Sequence, residues 1–467
     1  MMAQKTLVDA VRAKQRIHFV GIGGVGMSGI AEVLLNLGYK VSGSDLQSTE
    51  VTEKLSSLGA VIFKSHAAKN IRNTQVVVTS TAIATENPEV LEAKRRKIPL
   101  IRRAEMLAEI ARLKRTITVS GSHGKTTTTA MTALALKAAG ADPTMIIGGR
   151  LKNIGSNAKL GGGNFLVAEA DESDGSFLLL SPEIAIVTNI DTDHLDYYGS
   201  FGKLKTAFLS HISKVPFYGR SVLCADDPHL ASLFPKLQRP FITYGLSSRA
   251  DWTARSIKQD FQGSTVEVSC KGKKLGRLSL RVSGRYNLLN ALAALACGHA
   301  LGFDFKKLAR GLSEFSGVGR RLEVLGKAGG VLFIDDYGHH PTEIRATLEN
   351  LDEFWPHKRL IVVFQPHRYS RTKLLARDFG PAFQAADAVY VAPIYAAGEK
   401  PIPGVTRELI LESIRKNRNN ALPFNRTVEI ARELRAGDLV LTLGAGDIWK
   451  IGEDLKRRLQ SRNLTPL

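Results

Sequence analysis

Residues 119–129, VSGSHGKTTTT, constrain the fold of this chain more than any other segment. An apolar, β-like run over residues 116–119 enters the segment, and an Ala/Leu/Met-rich helical pattern over residues 130–139 leaves it. A glycine-containing turn between a strand and a helix is typical of a phosphate-binding loop, because the first amides of the helix point toward an anion. We therefore predict that this segment binds the phosphates of a nucleotide.

The residues of this loop suit distinct tasks. Gly121 and Gly124 allow the backbone to fold around phosphate oxygens. Lys125 offers a point charge to the β- and γ-phosphates of ATP, and Thr126 offers a hydroxyl to Mg²⁺. The usual pattern has four residues between its glycines, whereas this loop has two and places Val119 at the first glycine position. A Gly/Ser turn before a Thr-rich helix is the alternative interpretation. The expected ATP contacts in the loop are Gly121, Ser122, His123, Gly124, Lys125, Thr126 and Thr127.

A second glycine motif, GIGGVG, lies at residues 21–26 between a predicted strand over 17–20 and a predicted helix over 27–37. It fits GxGxxG, whose glycines allow a pyrophosphate to approach the backbone, and Asp45 follows the next strand, where an acid can bind a ribose hydroxyl. The motif alone suggests a dehydrogenase or an empty glycine turn. The separate phosphate loop favours a sugar nucleotide instead. Its expected contacts are Gly21, Gly23, Gly24, Gly26, Met27, Ser28, Ser44 and Asp45.

Carboxylates follow the predicted strand over residues 165–168 in the run Glu-Ala-Asp-Glu-Ser-Asp. A buried strand that delivers carboxylates to its C-terminal edge can hold Mg²⁺, which prefers hard oxygen ligands. Glu169 comes first after the strand, so we favour it as a direct or water-mediated ligand. Asp171, Glu172 and Asp174 are either further ligands or solvated turn residues.

A histidine among aspartates follows the next predicted strand, over residues 184–188, in the run Asn-Ile-Asp-Thr-Asp-His-Leu-Asp. His194 is therefore a candidate metal ligand or substrate contact, and a structural histidine is the alternative. Two acidic patches on adjacent strand ends predict two cations around one γ-phosphate.

The 467 residues favour three domains, and the pattern of elements predicts an α/β fold in each of them. We expect a Rossmann-like domain over residues 1–112, a phosphate-loop ATPase domain over 113–321, and a second Rossmann-like domain over 322–467. Each has a largely parallel sheet with flanking helices, although residues 251–282 alternate in a way that suggests antiparallel strands. In the third domain, strands are predicted over 331–334, 360–364, 388–391 and 439–443, and helices over 341–354, 372–384 and 407–416.

Polar clusters mark the third domain. Gly-Arg-Arg at residues 319–321 lies at the predicted domain join, where an arginine either reaches the γ-phosphate on domain closure or belongs to a surface linker. Asp-Asp-Tyr-Gly-His-His-Pro at 335–341 and Gln-Pro-His-Arg-Tyr-Ser-Arg at 365–371 follow predicted strands. The carboxyl ends of parallel strands are where such sheets bind ligands.

Composition narrows the function classes. The net charge is +20, from 64 basic and 44 acidic side chains, but the basic residues are dispersed, so nucleic acid is not the expected main partner. The three cysteines are far apart, so no disulfide framework or zinc site is expected. No apolar run approaches a membrane span, so we expect a cytoplasmic protein without membrane insertion.

Seven motifs occur in an order that resembles the Mur ligases over nearly the whole chain: GIGGVGMSG, GSHGKTTT, EADESD, NIDTDHLD, GRYNLLN, GRR and DDYGHHPTE. The resemblance implies three domains that bind a UDP-sugar, ATP and an amino acid, in that order. It implies an ATP- and Mg²⁺-dependent ligation of L-alanine to the lactyl carboxylate of UDP-N-acetylmuramate, in peptidoglycan precursor synthesis, by a monomer or weak homodimer.

The resemblance also implies roles for individual residues. The implied catalytic residues are Lys125, Thr126, Glu169, His194, Arg321 and His339. The metal ligands among them are Thr126, Glu169 and His194. Further ATP contacts are Asn287, Asn290, Arg321 and Asp336. The implied amino-acid contacts are Tyr337, His339 and Arg371, with His339 also a candidate base for the amine.

Two positions depart from the family pattern. Tyr286 stands where many relatives have a histidine, so the resemblance leaves an adenine contact at this position open. Phe208 stands where several relatives have a carbamylated lysine, so we expect His194 and waters to hold the second cation without one. The alternative functions are a recycling ligase that adds a tripeptide to the same UDP-sugar, a basic nucleic-acid-dependent ATPase, and a dehydrogenase.

Overall fold

Three β-sheets with flanking helices organise this computed structural model, which describes residues 15–80, 82–247, 249–417 and 420–462. The chain forms two compact units. Unit 1 comprises residues 1–255, 267–278 and 289–314, and unit 2 comprises residues 256–266, 279–288 and 315–467. The three largely parallel sheets confirm the predicted α/β fold class, whereas the predicted domain boundaries stay a prediction.

The first sheet has five strands in the order β3-β2-β1-β4-β5, and all of its pairs are parallel. The order reverses beside β1, which creates the crevice at which such sheets bind nucleotides. The strands are β1 (Arg16–Val20), β2 (Lys40–Ser44), β3 (Val61–Phe63), β4 (Val76–Thr79) and β5 (Leu100–Arg102). The α-helices are α1 (Val25–Asn36), α2 (Glu50–Ser57), α3 (Pro88–Arg95) and α4 (Arg103–Ala111).

The second sheet has ten strands in the order β15-β14-β13-β12-β11-β10-β6-β9-β7-β8. Its centre, from β12 to β7, is parallel, and β8 pairs antiparallel to β7. Its strands are β6 (Arg115–Ser120), β7 (Thr144–Leu151), β8 (Ser156–Lys159), β9 (Phe165–Glu169), β10 (Ile184–Val187), β11 (Arg220–Cys224), β12 (Phe241–Gly245), β13 (Trp252–Asp260), β14 (Gly263–Cys270) and β15 (Lys273–Leu280). The α-helices are α5 (Lys125–Ala138), α6 (Leu195–Tyr198), α7 (Phe201–Ser213), α8 (Pro228–Ala231), α9 (Arg285–Ala300) and α10 (Phe305–Ser313).

The third sheet lies in unit 2 and has the order β16-β17-β21-β18-β19-β20. It is parallel except for the β16–β17 hairpin at its edge. Its strands are β16 (Glu323–Ala328), β17 (Val331–Asp336), β18 (Arg359–Phe364), β19 (Ala388–Val391), β20 (Ala421–Pro423) and β21 (Asp438–Leu443). The α-helices are α11 (Pro341–Phe354), α12 (Tyr369–Ala382), α13 (Glu408–Asn417), α14 (Thr427–Glu433) and α15 (Trp449–Arg462).

Strand β18 shows why the third sheet is covered on both faces. Leu360, Val362 and Phe364 pack into one apolar cluster with residues of α11, α12 and α13. Ile361 and Val363 point to the opposite face and pack with residues of α14 and α15. Side chains alternate across a strand, so a strand with apolar residues at every position requires a helix layer on each side.

In unit 1, helix α1 of the first sheet packs against the β7–β8 hairpin of the second sheet. A Cβ atom on Gly29 would lie 3.2 Å from the Cβ of Ala158, so glycine allows this close approach. Beside it, Lys54 Nζ donates to Glu32 Oε1 at 2.8 Å and to Ser156 Oγ at 2.8 Å. These contacts join the glycine-rich loop and the phosphate loop within one compact unit.

The helices of the described residues include none that is long and apolar enough to cross a membrane.

Candidate active site

The predicted phosphate loop forms between β6 and α5, at the carboxyl end of a central strand. Gly121 has φ +130° and Gly124, the N-cap of α5, has φ +81°, and both values disfavour residues with a Cβ atom. A Cβ atom on Gly121 would also lie 2.1 Å from Thr188 Oγ1. The shortened glycine spacing therefore forms a tight loop against the end of β10.

Residues that follow β10 hold this loop in place. The His123 amide donates to Asn189 Oδ1 at 2.8 Å, and Thr188 Oγ1 donates to the His123 carbonyl at 2.6 Å. Asp191 makes two further contacts with the loop. Its amide donates to Ser122 Oγ at 2.8 Å, and its carboxylate lies 2.8 Å from His123 Nε2. Ser122 and His123 are thus fixed by the neighbouring strand end, which gives the loop a rigid shape.

Lys125 lies at the base of the loop among carbonyl and carboxylate oxygens. Its Nζ donates to the carbonyls of Gly121 at 2.7 Å and Ser122 at 3.2 Å, and to Glu172 Oε1 at 2.8 Å. Burial by itself lowers the pKa of Lys125, but the charges of Glu172, Asp171 and Glu169 outweigh it and raise this pKa above its usual value. Lys125 is therefore a cation at neutral pH, as a phosphate ligand must be.

Glu172 is fully buried, so the interpretation of this residue as a solvated turn position was wrong. Burial raises the pKa of Glu172 to about 7, although Lys125 acts in the opposite direction. The backbone carbonyl of Glu172 accepts a hydrogen bond from Tyr198 Oη at 2.6 Å, which fixes the turn after β9. The local motif does not distinguish Glu172 from the neighbouring acids, because its burial depends on residues distant in the sequence.

Thr126 and Glu169 adopt the arrangement expected of a magnesium site. Thr126 Oγ1 lies 3.0 Å from Glu169 Oε2 and 3.2 Å from Oε1, and the Gly148 amide donates to Oε2 at 2.8 Å. The hydroxyl and the carboxylate are hard oxygen donors at the N-terminus of a helix, beside the expected phosphates. The donor set therefore fits Mg²⁺.

His194 follows β10 and has φ +57°, an uncommon conformation for a residue other than glycine. Its Nε2 atom lies 3.5 Å from Asp193 Oδ2 and 3.7 Å from Glu172 Oε1. The imidazole therefore faces the same group of acids as Lys125, which supports the prediction that His194 belongs to the cation site.

The two asparagines expected at ATP lie one turn apart on α9. Asn290 Oδ1 accepts a hydrogen bond from Thr128 Oγ1 at 2.9 Å and would lie 2.9 Å from a Cβ atom on Gly124. In unit 2, Asn287 Nδ2 donates to the Ser283 carbonyl at 2.7 Å. Asn290 thus contacts the phosphate loop directly, whereas an adenine contact for either asparagine stays a prediction.

The glycine-rich loop after β1 is closed by the end of β2. The amides of Gly21 and Ile22 donate to the Ser44 carbonyl at 2.8 and 3.0 Å, and the Gly23 amide donates to Asp45 Oδ2 at 2.9 Å. Asp45 is therefore placed at the loop, as predicted, but its carboxylate holds a loop amide.

Three predicted sugar-nucleotide contacts have buried side chains, and their contact with a ligand stays a prediction. Met27, Ser28 and Ser44 are buried, at most 2% exposed. Ser44 Oγ donates to Glu89 Oε2 at 2.5 Å. Burial raises the pKa of Glu89, but hydrogen bonds from His18, Ser44 and Asn70 outweigh it and lower this pKa to about 2. The hydroxyl of Ser44 thus belongs to a buried polar network.

Unit 1 contains a polar cleft that the sequence analysis did not find. It has a volume of about 230 Å³ and is lined in part by Ser80, Arg102, Arg103, Asp174 and Tyr197. Arg103 lies between the glycine-rich loop and the turn after β9, because its Cδ would be 3.0 Å from a Cβ atom placed on Gly26 and its Nη2 is 3.7 Å from Asp171 Oδ2. The third glycine of GxGxxG therefore makes room for an arginine.

In unit 2, Arg320 and Arg321 lie against the ring of Tyr337, with guanidinium carbons 5.1 and 5.0 Å from its centre. Arg320 is committed to structure, because its Nε donates to Asp335 Oδ2 at 3.0 Å. Arg321 Nη1 is 3.9 Å from Glu343 Oε1. Both arginines therefore contact side chains of unit 2 and do not form a surface linker.

Asp336 fixes the turn that presents these groups. Its carboxylate accepts hydrogen bonds from the amides of Leu322 and Gly338, both at 2.8 Å. Burial raises the pKa of Asp336 to about 6, although Arg321 opposes this shift. The carboxylate thus positions the Arg321 segment, and its predicted contact with ATP stays a prediction.

The three residues expected at the amino acid lie in one group in unit 2. His339 Nδ1 is 3.2 Å from the Tyr337 carbonyl, and its ring is 5.5 Å from that of His367. Arg371 Nη1 lies 3.1 Å from His367 Nδ1 and is largely buried. His367 connects His339 to Arg371, and Tyr395 stacks on His367 at 5.8 Å. The sequence analysis named the 365–371 cluster but did not select His367.

Comparison with known proteins identifies three Mur ligase domains in succession along the chain. The chain matches the Mur ligase family catalytic domain over residues 16–115, the Mur ligase middle domain over 119–298, and the Mur ligase glutamate ligase domain over 320–446. It is 54% identical to the UDP-N-acetylmuramate–L-alanine ligase of Endomicrobium trichonymphae, over 94% of this chain and 98% of that protein.

Solved structures agree with these matches. The UDP-N-acetylmuramate-alanine ligase of Thermotoga maritima has 32% identity and a TM-score of 0.81, with coverage of 96% of this chain and 99% of that one. A murein peptide ligase from Psychrobacter arcticus shares the fold at 24% identity and a TM-score of 0.72, with coverage of 97% and 100%. This chain belongs to the Mur ligase family.

Proposed function

We propose that this chain is a UDP-N-acetylmuramate–L-alanine ligase that consumes ATP. The 54% identity to a relative of that name, over 94% of this chain, carries the assignment of substrates. The geometry of unit 1 supports the chemistry, because Lys125 and His194 both approach Glu172, and Thr126 lies beside Glu169 at the start of the same helix as Lys125. The reaction is the first peptide step in peptidoglycan precursor synthesis, and we expect it in the cytoplasm.

The reaction requires activation of a carboxylate, because a carboxylate is a poor electrophile for an amine. The lactyl oxygen of UDP-N-acetylmuramate attacks the γ-phosphorus of ATP, the bond to the β-phosphate oxygen breaks, and ADP leaves. The resulting acyl phosphate is attacked by the amine of L-alanine. The tetrahedral intermediate then expels inorganic phosphate and leaves an amide.

The first step brings two anions together, so positive charge must screen them. Lys125 provides such a charge at the phosphate loop, and we propose that Arg321 provides another at the γ-phosphate. Thr126 and Glu169 would hold one Mg²⁺ and His194 would take part in holding a second. When bound, these cations would neutralise the developing charge on the phosphate oxygens.

The second step requires a neutral amine held by its carboxylate. We assign the carboxylate to Arg371, since a guanidinium can pair with it in bidentate fashion. Tyr337 and His339 complete the amino-acid site, and His339 is the candidate that removes a proton from the ammonium group. The aromatic and imidazole groups around Arg371 would exclude water from this site.

The remaining assignments follow the same proposal. Residues 1–112 would bind the UDP-sugar, with Gly21, Gly23, Gly24, Gly26 and Asp45 at its pyrophosphate and ribose. Residues 113–321 would bind ATP, with the phosphate loop at the phosphates and Asn287 and Asn290 near the adenine. Asp336, from the following segment, would lie near the nucleotide. Residues 322–467 would bind L-alanine. We propose a monomer or weak homodimer.

Phosphate release measured with ATP, UDP-N-acetylmuramate and one amine at a time tests this function. L-alanine should give rapid release, and omission of the UDP-sugar should abolish it. Release with the tripeptide L-alanyl-γ-D-glutamyl-meso-diaminopimelate but not with L-alanine would replace the proposal by the recycling reaction. ATP hydrolysis stimulated by DNA or RNA without the UDP-sugar would refute both.

A further inference from the structure

Glu172 connects the phosphate loop to the histidine at the end of β10. Its Oε1 atom accepts a hydrogen bond from Lys125 Nζ at 2.8 Å and lies 3.7 Å from His194 Nε2. The side chain of Glu172 is 0% exposed, and that of His194 is 17% exposed. One carboxylate is therefore shared between the phosphate-binding lysine and the candidate cation-binding histidine.

The second carboxylate oxygen of Glu172 lacks a hydrogen-bond partner among the described residues. Oε2 is buried and makes no hydrogen bond to any other residue that the structure describes. Buried carboxylate oxygens are almost always hydrogen-bonded or bound to a metal ion, because an uncompensated buried charge is costly. Glu172 thus presents a vacant acceptor inside a site that already contains Glu169, Asp171 and Asp193.

A bound triphosphate would compete with Glu172 for its hydrogen bond from Lys125. Lys125 is the hydrogen-bonding cation of Glu172 in this structure, and phosphate oxygens would compete for that ammonium group. A Glu172 carboxylate that lost Lys125 would be buried beside His194 and the carboxylate of Asp171. A divalent cation between the carboxylate and the imidazole would replace the positive charge that Lys125 supplied, and both oxygen and imidazole nitrogen are acceptable ligands for Mn²⁺ and Mg²⁺.

We propose that Glu172 is a ligand of the second cation, together with His194, and that it exchanges Lys125 for this cation when a nucleoside triphosphate binds. This inference rests on the proposed function, and it names the carboxylate that completes the His194 site. It also explains why a fully buried acid follows β9 at a position where a solvated turn residue would suffice for the fold.

Mn²⁺ binding in the presence of a non-hydrolysable ATP analogue provides a test that does not depend on turnover. Electron paramagnetic resonance of free Mn²⁺ gives the number of bound ions and their affinities. We expect two ions in the unmodified protein. Glu172→Gln should keep the first ion and weaken the second by about tenfold or more, the scale of effect typical of a lost ligand-shell contact. His194→Ala should weaken the same ion, and the double variant should be no weaker than the more affected single variant.

Asp196→Asn is the matched control, because this exposed carboxylate lies two residues after His194 on α6. It should bind both ions normally. An unchanged second ion in Glu172→Gln, or loss of only the first, would overturn the proposal. If Glu172→Gln does not fold, Glu172→Asp keeps the charge but withdraws the carboxylate by one methylene. A second Mn²⁺ of unchanged affinity in that variant would contradict the proposal equally.

The proposed function can fail separately. A protein that binds two Mn²⁺ ions with the ATP analogue, and loses one in Glu172→Gln, but releases no phosphate with L-alanine would refute the substrate assignment alone. A protein that releases phosphate with L-alanine and keeps both ions in Glu172→Gln would refute the role of Glu172 alone.

Discussion

His211 makes the stability of unit 1 dependent on pH. It lies on α7 and is completely buried, with Nε2 3.1 Å from Thr118 Oγ1 on β6 and its ring stacked on Phe177 at 4.9 Å. Burial lowers the pKa of His211 from 6.5 to about 4, with Lys214 as a smaller contribution. Because β6 leads directly into the phosphate loop, protonation of this histidine would disturb the strand that supports nucleotide binding.

The sign and size of the effect follow from proton linkage. Above pH 6.5 the histidine is neutral in both the folded and the unfolded chain, so it adds no pH dependence. Below 6.5 the unfolded chain binds a proton that the folded chain refuses until about pH 4. The free energy of unfolding then falls by about 1.4 kcal/mol per pH unit, roughly 2 kcal/mol by about pH 5.

Urea unfolding at about pH 7.5 and about pH 5 measures this difference. Trp252 is 1% exposed in unit 1, so its fluorescence reports this unit when Trp355 and Trp449 are replaced by phenylalanine. Between these two pH values the free energy of unfolding should fall by roughly 2 kcal/mol less in His211→Leu than in the parent protein. The other titrating groups contribute equally to both proteins and cancel in this comparison. His229→Ala removes an exposed histidine and should behave like the parent. Equal losses in His211→Leu and the parent would refute the reasoning.

Three further predictions concern the reaction. Lys125→Ala should lower kcat for phosphate release by a factor that corresponds to about 3 kcal/mol or more, because one electrostatic stabiliser is lost. Near-normal turnover in this variant would contradict the assignment of Lys125. Gly121→Ala should abolish ATP binding in calorimetry and lower the free energy of unfolding by roughly 1–3 kcal/mol more than Gly140→Ala. Both glycines have positive φ, but only the first would place a Cβ atom against Thr188, 2.1 Å from its hydroxyl. Arg371→Lys should raise KM for L-alanine about tenfold with little change in the Kd of ATP, because a lysine cannot form a bidentate pair with the carboxylate of the amino acid. An unchanged KM would exclude a contact between Arg371 and this carboxylate.

Local signals in the sequence were sufficient for most of the fold. Helix α11 has the predicted bounds, 341–354, because Pro341 suits the first turn and His340 caps it. The phosphate loop was predicted despite its short spacing, because the strand before it and the helix after it were both recognisable. Strands β5 and β20 were not predicted, because each has three residues and one of them is Arg or Pro, so neither forms an uninterrupted apolar run.

Residues whose role depends on distant partners could not be found in the same way. Glu172 becomes a buried partner of Lys125 only after β6 and β9 pair. Arg103 is separated from Gly26 and Asp171 by more than 60 residues in either direction, and its own segment has no motif. Ser44 shows the same dependence, because the strand end at which it lies gives no sign that its hydroxyl donates to the buried Glu89 on α3.

The packing of α1 on the β7–β8 hairpin has a consequence for how the first chemical step is achieved. It makes the loops assigned to the two nucleotides parts of one folded body, so the acyl donor and the phosphoryl donor dock on a shared scaffold. The entropy of aligning the two substrates is then lost mainly when the protein folds and the substrates bind. It therefore adds less to the activation free energy of the chemical step. Changes at Lys54, Glu32 or Ser156, far from any reacting atom, would therefore act on the rate through alignment of the two substrates.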